Sequence, residues 1–172
     1  MQRKRTIVDA SSAILLAKAH LFRCLTATYH VVMAETVYSE ISRNGYPGAR
    51  RFAAARREGS IRVIASQSDD GPEAESVLTG PGERETIRLF SRGEGDFIVI
   101  DDRKGASFCR NAGIPYINAL LFPRILMVSG KLSDSEYCRL TESLLSFGRY
   151  SQKIVSAAAD ASRERLGRFL PT

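Results

Sequence analysis

Carboxylates stand at four places along this chain: Asp9 in TIVDASS, Glu40 in ETVYSEI, Glu83 and Glu85 in GPGERETI, and Asp101 with Asp102 in FIVIDDRKG. Two of these groups directly follow short β-branched apolar runs, where a carboxylate is costly to bury for packing alone. A fold that gathers them at one edge makes a cluster that cannot stay fully ionised without a cation. The chemistry this suggests is a divalent-metal site that hydrolyses phosphodiesters. Oxygen-ligated cations can activate a water and stabilise the leaving oxygen of an in-line displacement, so carboxylates take the place of a side-chain nucleophile.

Each acid also has a plainer use. Asp9 suits a helix N-cap, although Ser11 and Ser12 are on hand for that duty. Glu83 suits the first turn of a helix, where it complements the dipole, and Glu35 is read as a surface residue of that kind. Asp102 either binds metal, pairs with Arg103 or caps the next helix. Arg103 and Lys104 either hold a scissile phosphate or form a solvated face. His20 and His30 lack metal-ligand spacing and read as structural, and Cys109 reads as core. The sequence contains no nucleophile elbow, Walker loop or dinucleotide glycine fingerprint.

The elements that position the acids follow from local pattern. Thr6–Val8 predicts a strand ending at Asp9, and Ser11 or Ser12 then caps a helix over Ala13–His20. His30–Met33 predicts a strand, Ala34–Ser42 a helix, and a further helix runs from the break at Tyr46–Gly48 to Glu58. Ile61–Ala65 predicts a strand. Ser66–Gly82 reads as loop with a turn of helix around Glu73–Leu78, and Glu83–Arg92 as helix. The apolar run Phe97–Ile100 is of the buried parallel-strand type and ends at Asp101. Helix over Lys104–Ala112, a short strand at Tyr116–Ile117, and helices over Leu120–Ser129, Ser133–Leu145 and Ser151–Leu170 complete the pattern. This alternation predicts a three-layer α/β domain with a mostly parallel sheet, whose right-handed crossovers bring Asp9 and Asp101 to one edge.

The 172 residues, 44% hydrophobic, suffice for one compact domain. No apolar run approaches the ~20 residues that span a membrane, and the basic start Met1–Arg5 lacks the hydrophobic segment of a signal peptide. Three scattered cysteines predict a reduced cytoplasmic chain with small buried thiols. The formal charge of +6 is compatible with a polyanionic partner. Arginine clusters at Arg50/Arg51, Arg56/Arg57 and Arg163, Arg165 and Arg168, each taken alone, read as solvated faces.

The succession IVDASSAILLAKA, VVMAETVYSEI, GPGERETIRLF and FIVIDDRKGASFCRNAGIPYI resembles the PIN-domain proteins over roughly residues 6–132. The likeness is to the subgroup with a GExE helix and a strand ending in Asp-Asp. It implies an α/β/α fold, an RNA-cleaving hydrolase using Mg²⁺ or Mn²⁺, and, as for VapC-like toxins, an antitoxin partner and a homodimer. Residue by residue it implies that Asp9 is the first acid and Glu40 the acid of the second helix. The third acid falls on Glu85 or Glu83, and the fourth on Asp101 or Asp102. Ser11 matches the small hydroxyl residue after the first Asp. Metal falls to Asp9, Glu85, Asp101 and Asp102, while Glu40 either sits behind these ligands or helps to orient the attacking water. Two departures stand out: Pro115–Leu120 replaces a glycine-rich turn, and Phe147–Thr172 has no counterpart. The expected division is therefore a nuclease domain over 1–146 with a helical extension over 147–172. The rival expectation is a catalytically silent PIN-like module that binds RNA or protein, and it gains if Glu85 turns away from the other acids. A nuclease for flap or structured DNA ranks behind both, because the chain lacks room for a helical arch.

Overall fold

The computed structural model describes residues 3–43, 45–46, 48–65 and 80–171. The loop expected from Ser66 therefore lies outside the described residues as far as position 79, as does the helical turn expected around Glu73–Leu78.

Five short, apolar, largely β-branched runs make the sheet: β1 (Arg5–Val8), β2 (His30–Ala34), β3 (Ile61–Ile64), β4 (Phe97–Val99) and β5 (Tyr116–Ile117). All pairings are parallel, in the order β3-β2-β1-β4-β5. The central strand β1 sets Ile7 against Val32 of β2 on one side and Ile98 of β4 on the other. β1 and β4 are buried almost throughout, as a sheet covered on both faces requires, whereas β3 at the edge is only partly buried.

Ten helices among the described residues cover this sheet: α1 (Ala10–Lys18), α2 (Phe22–Thr28), α3 (Glu35–Ile41), α4 (Ala49–Arg57), α5 (Pro81–Ser91), α6 (Arg103–Asn111), α7 (Leu121–Val128), α8 (Asp134–Phe147), α9 (Gln152–Ala159) and α10 (Arg163–Leu166). Alternate residues of each strand serve opposite faces. Val8, Val31, Met33, Phe97 and Val99 join the larger core with residues from α1, α2, α4 and the helices after β5. Ile7, Val32, Ala34, Ile98 and Ile100 join a smaller core with Val37, Ile87, Leu89 and Cys109 from α3, α5 and α6. The architecture is a three-layer α/β/α sandwich on an all-parallel sheet. No helix among the described residues is long and apolar enough to cross a membrane.

Several elements depart from expectation. Helix α1 starts at Ala10 rather than Ala13, because Asp9 and not a serine is its N-cap. Helix α2 was not expected at all: no side chain caps it, so the sequence carries no start signal, and only the burial of Phe22, Leu25 and Thr28 holds it in place. The helix expected over Ser151–Leu170 breaks at Asp160, and Ser162 caps a separate short turn. Of the thiols expected to be buried, only Cys109 is; Cys24 and Cys138 are exposed.

The chain after α8 returns to the sheet. Tyr29 donates its hydroxyl to Phe169 O at 2.6 Å, and the Phe169 ring meets Phe97 edge-on at 5.3 Å. Lys4 Nζ donates to Arg168 O at 2.7 Å.

Close approach of backbone to β1 requires a glycine just before β4. A Cβ on Gly95 would stand 2.7 Å from Ile7 Cγ1 and 3.4 Å from Ile7 N. Gly95→Ala is accordingly expected to destabilise the fold by about 1–3 kcal/mol, the usual cost of overpacking. Urea denaturation checks this, and an unchanged midpoint would show that β1 has room to move.

Candidate active site

β2 and β3 step one way across the sheet from β1, and β4 lies on its other side. The crevice above the carboxyl ends of β1 and β4 is thus the topological switch point, where open α/β sheets place their ligands. Asp9 and Asp101 flank it. Asp9 N donates to Val99 O at 3.1 Å, extending the ladder by one residue and fixing Asp9 beside the end of β4. Its side chain is only 3% exposed.

One serine joins the two acids. Ser12 N donates to Asp9 Oδ1 at 2.8 Å, while Ser12 Oγ donates to Asp101 Oδ2 at 2.8 Å. Ser11 Oγ donates to Asp9 Oδ2 at 2.6 Å. Asp101 receives two further bonds, from Ala119 N to Oδ2 at 2.9 Å and from the Tyr150 hydroxyl to Oδ1 at 2.6 Å. Capping thus holds Asp9 in place, since the same carboxylate that starts α1 faces the crevice.

Burial dominates the electrostatics. It pushes the Asp9 carboxyl up to about 7 against the opposing effect of the Ser11 and Ser12 hydrogen bonds, and the neighbouring Asp101 charge pushes it further. Asp101 is raised by burial as well, opposed by its bonds from Tyr150, Ala119 and Ser12. Burial, reinforced by the charges of Asp101 and Asp9, holds the Tyr150 phenol protonated, so it acts as a donor. The Cys109 thiol is pushed up to about 12 by burial and the Asp9 charge, which rules it out as a thiolate nucleophile.

The remaining acids are placed differently. Asp102 caps α6, accepting from Gly105 N at 2.8 Å, which is the capping alternative left open by its sequence. Glu83 reaches back to Gly80 N at 3.4 Å in the first turn of α5. Glu85, 7% exposed, forms an ion pair with Arg88 Nη1 at 2.9 Å. Glu40 is half-buried on α3, with its carboxylate beside the first turn of α5: a Cβ on Gly82 would lie 3.9 Å from Glu40 Oε2. Helix α2 makes α3 the third helix and not the second. Arg103 and Lys104 are exposed on the first turn of α6, next to the acids. His20 and His30 are exposed, and Glu35 is a first-turn surface residue.

Among the described residues, no group of three or more histidine, cysteine, aspartate or glutamate side chains is arranged to hold a metal ion. The aspartate pair nonetheless suits one kind of cation. An ionised carboxylate can accept about two bonds per oxygen. The bonds in place leave one acceptor position on each oxygen of Asp9 and one on Oδ1 of Asp101. Mg²⁺ commonly takes one or two carboxylates and completes its shell with water and substrate phosphate. A buried and a half-buried carboxylate joined through Ser12, both reluctant to ionise, fit that pattern.

Two residues of this arrangement went unrecognised from sequence. Ser12 carried a signal, since it stands three residues after Asp9, the spacing of a capped amide. Tyr150 carried none, being 49 residues from its partner.

The unfolded chain ionises Asp9 near 3.8, whereas the fold holds its proton to about 7. Stability from this group is therefore full below the lower value, declines as pH rises, and is lost above the higher one, a difference of about 4 kcal/mol. In EDTA the melting temperature is expected to fall between about pH 4 and about pH 7, and Asp9→Asn should remove most of that slope while remaining folded. Parallel profiles for the two proteins would refute the assignment.

No curated protein matches this chain. A family model described as a PIN domain matches residues 5–155. PIN domains are generally nucleases that use divalent metals, in keeping with the acidic pair above the switch point. By sequence and by fold, the chain belongs to the PIN-domain family.

Proposed function

We propose that this protein is a metal-dependent endoribonuclease that hydrolyses RNA phosphodiesters and acts as the toxin of a toxin–antitoxin pair. The observation that carries the catalytic part is the Asp9–Ser12–Asp101 linkage at the carboxyl ends of β1 and β4. The toxin role rests on the resemblance to VapC-like chains, which also suggests an antitoxin partner and a homodimer.

In this reading Asp9 and Asp101 hold Mg²⁺ or Mn²⁺ through their remaining acceptor positions. When bound, a divalent cation supplies the positive charge that favours an attacking hydroxide and offsets charge on the leaving oxygen. Ser11 and Ser12 fix the Asp9 carboxylate, and Ser12 sets the spacing between the two acids. Glu40 orients the attacking water from α3. Glu85 contributes as a ligand by exchanging Arg88 for the cation, and Asp102 contributes chiefly by holding the start of α6 in place. Arg103 and Lys104 offer charge to the scissile phosphate from the same turn.

One observation favours the second reading, a silent PIN-like module that binds RNA or protein. Glu85 is paired with Arg88, so the third carboxylate is engaged elsewhere.

A mixed RNA pool incubated with Mg²⁺, with Mn²⁺ and with EDTA distinguishes the two. Cleavage is expected with either metal and not with EDTA. Asp9→Asn and Asp101→Asn should each lose more than the roughly 10–100-fold typical of groups behind a ligand. Cleavage that persists in EDTA or in Asp9→Asn would sink the metal reading. RNA binding with steep salt dependence and no turnover would establish the silent module.

A further inference from the structure

Asp101 is held from three directions, and the third comes from the link after α8, close to the end of the stretch that the family model matches. Ser12 Oγ and Ala119 N both bond Oδ2, which fills that oxygen. Rotation about χ2 carries both oxygens together, so a bond on Oδ1 anchors the carboxylate from the opposite side. That bond comes from the hydroxyl of Tyr150, from the link between α8 and α9, at 2.6 Å. This is a short bond to a charged acceptor, the stronger class.

The link is shaped for this contact. Tyr150 is half-buried and packs against the larger core. Its ring folds over Gly148, where a Cβ would stand 2.3 Å from Cε2 and 3.0 Å from Cδ2. Any side chain at position 148 would therefore push the ring, and with it the hydroxyl, away from Asp101.

We propose that Tyr150 is a positioning residue of the cation site. By occupying one acceptor position of Oδ1, it orients Asp101 so that a single lone pair faces the crevice and the carboxylate binds a divalent cation through one oxygen. This rests on the reading of Asp9 and Asp101 as the cation-binding pair. The C-terminal segment is then a working part of the site.

The test is Mn²⁺ binding by the full-length protein without RNA, followed through the electron paramagnetic resonance signal of free Mn²⁺. Wild type is compared with Asp9→Asn, Tyr150→Phe, Gly148→Ala and Tyr29→Phe. Tyr150→Phe should weaken Mn²⁺ binding by about 10–100-fold, the usual cost of losing a group that orients a ligand. Gly148→Ala, which keeps the hydroxyl but displaces it, should weaken binding in the same direction. Tyr29→Phe removes the bond to Phe169 O and loosens the same segment without touching the acids, so it should lower stability and leave Mn²⁺ affinity unchanged.

Wild-type affinity in Tyr150→Phe, with binding lost in Asp9→Asn, would overturn the tyrosine's role and leave the aspartate pair standing. Tighter binding in Tyr150→Phe would overturn it too, since the hydroxyl would then be blocking the cation. Equal weakening in Tyr29→Phe would reduce the effect to a loosened tail and overturn it likewise. If wild type binds Mn²⁺ no better than Asp9→Asn, the cation reading falls, and this inference falls with it.

Discussion

Two carboxylates joined through one serine, at the ends of the neighbouring strands β1 and β4, are the constraint around which this molecule is arranged. Desolvation raises both, and the Asp101 charge further opposes ionisation of Asp9. Such a pair persists only where the surroundings supply donors in the right places. The sheet order sets the acids at adjacent strand ends, the first turn of α1 supplies Ser12, the turn after β5 supplies Ala119 N, and the chain beyond α8 supplies Tyr150. Stability is given up locally to hold a geometry, as happens at sites selected for function and not for packing.

The larger outline of this arrangement is readable in the sequence because its signals are local. The runs at Thr6–Val8 and Phe97–Ile100 are short, apolar and β-branched, and each is followed by an Asp; parallel crossovers then force the two Asp residues to the same edge. Helix α8, with its Ser133 cap, lies within a few residues of expectation, whereas the break at Asp160 divides the one helix expected after it. What escaped was set by tertiary contact. Helix α2 has no capping side chain and exists because Phe22, Leu25 and Thr28 are buried. Capping propensity ranks Asp and Ser alike, so it does not separate Asp9 from Ser11 and Ser12; only the bond from Ser12 N decides among them. The partners of Asp101 and the Arg88 pairing of Glu85 are side-chain choices that spacing does not encode.

The basic surplus shows the same limit. Arg51, one of a clustered pair, donates to Ala17 O at 2.8 Å, and the guanidinium of Arg56 lies 4.6 Å from the centroid of the Tyr38 ring. Arg124 holds Ala161 O, and Arg163 holds Val128 O, in both cases tying α7 to the chain after α9. These charges stitch helices together, so the excess of +6 is in part internal scaffolding. Arg103 and Lys104, by contrast, stand on the first turn of α6, directly after the acids Asp101 and Asp102.

The strand order also carries a consequence for how the molecule comes into being. β1 is made first and lies at the centre, yet its neighbour β4 is made more than halfway along the chain, and residues near the C-terminus close over Tyr29 and Lys4. A chain emerging from the ribosome thus carries its central strand half-covered until β4 has followed, with Asp9 still open to water. Contacts of such long sequence separation are slow to close. The same topology makes the surroundings of Asp9 and Asp101 depend on residues made late, since Tyr150 follows the first acid by more than 100 positions.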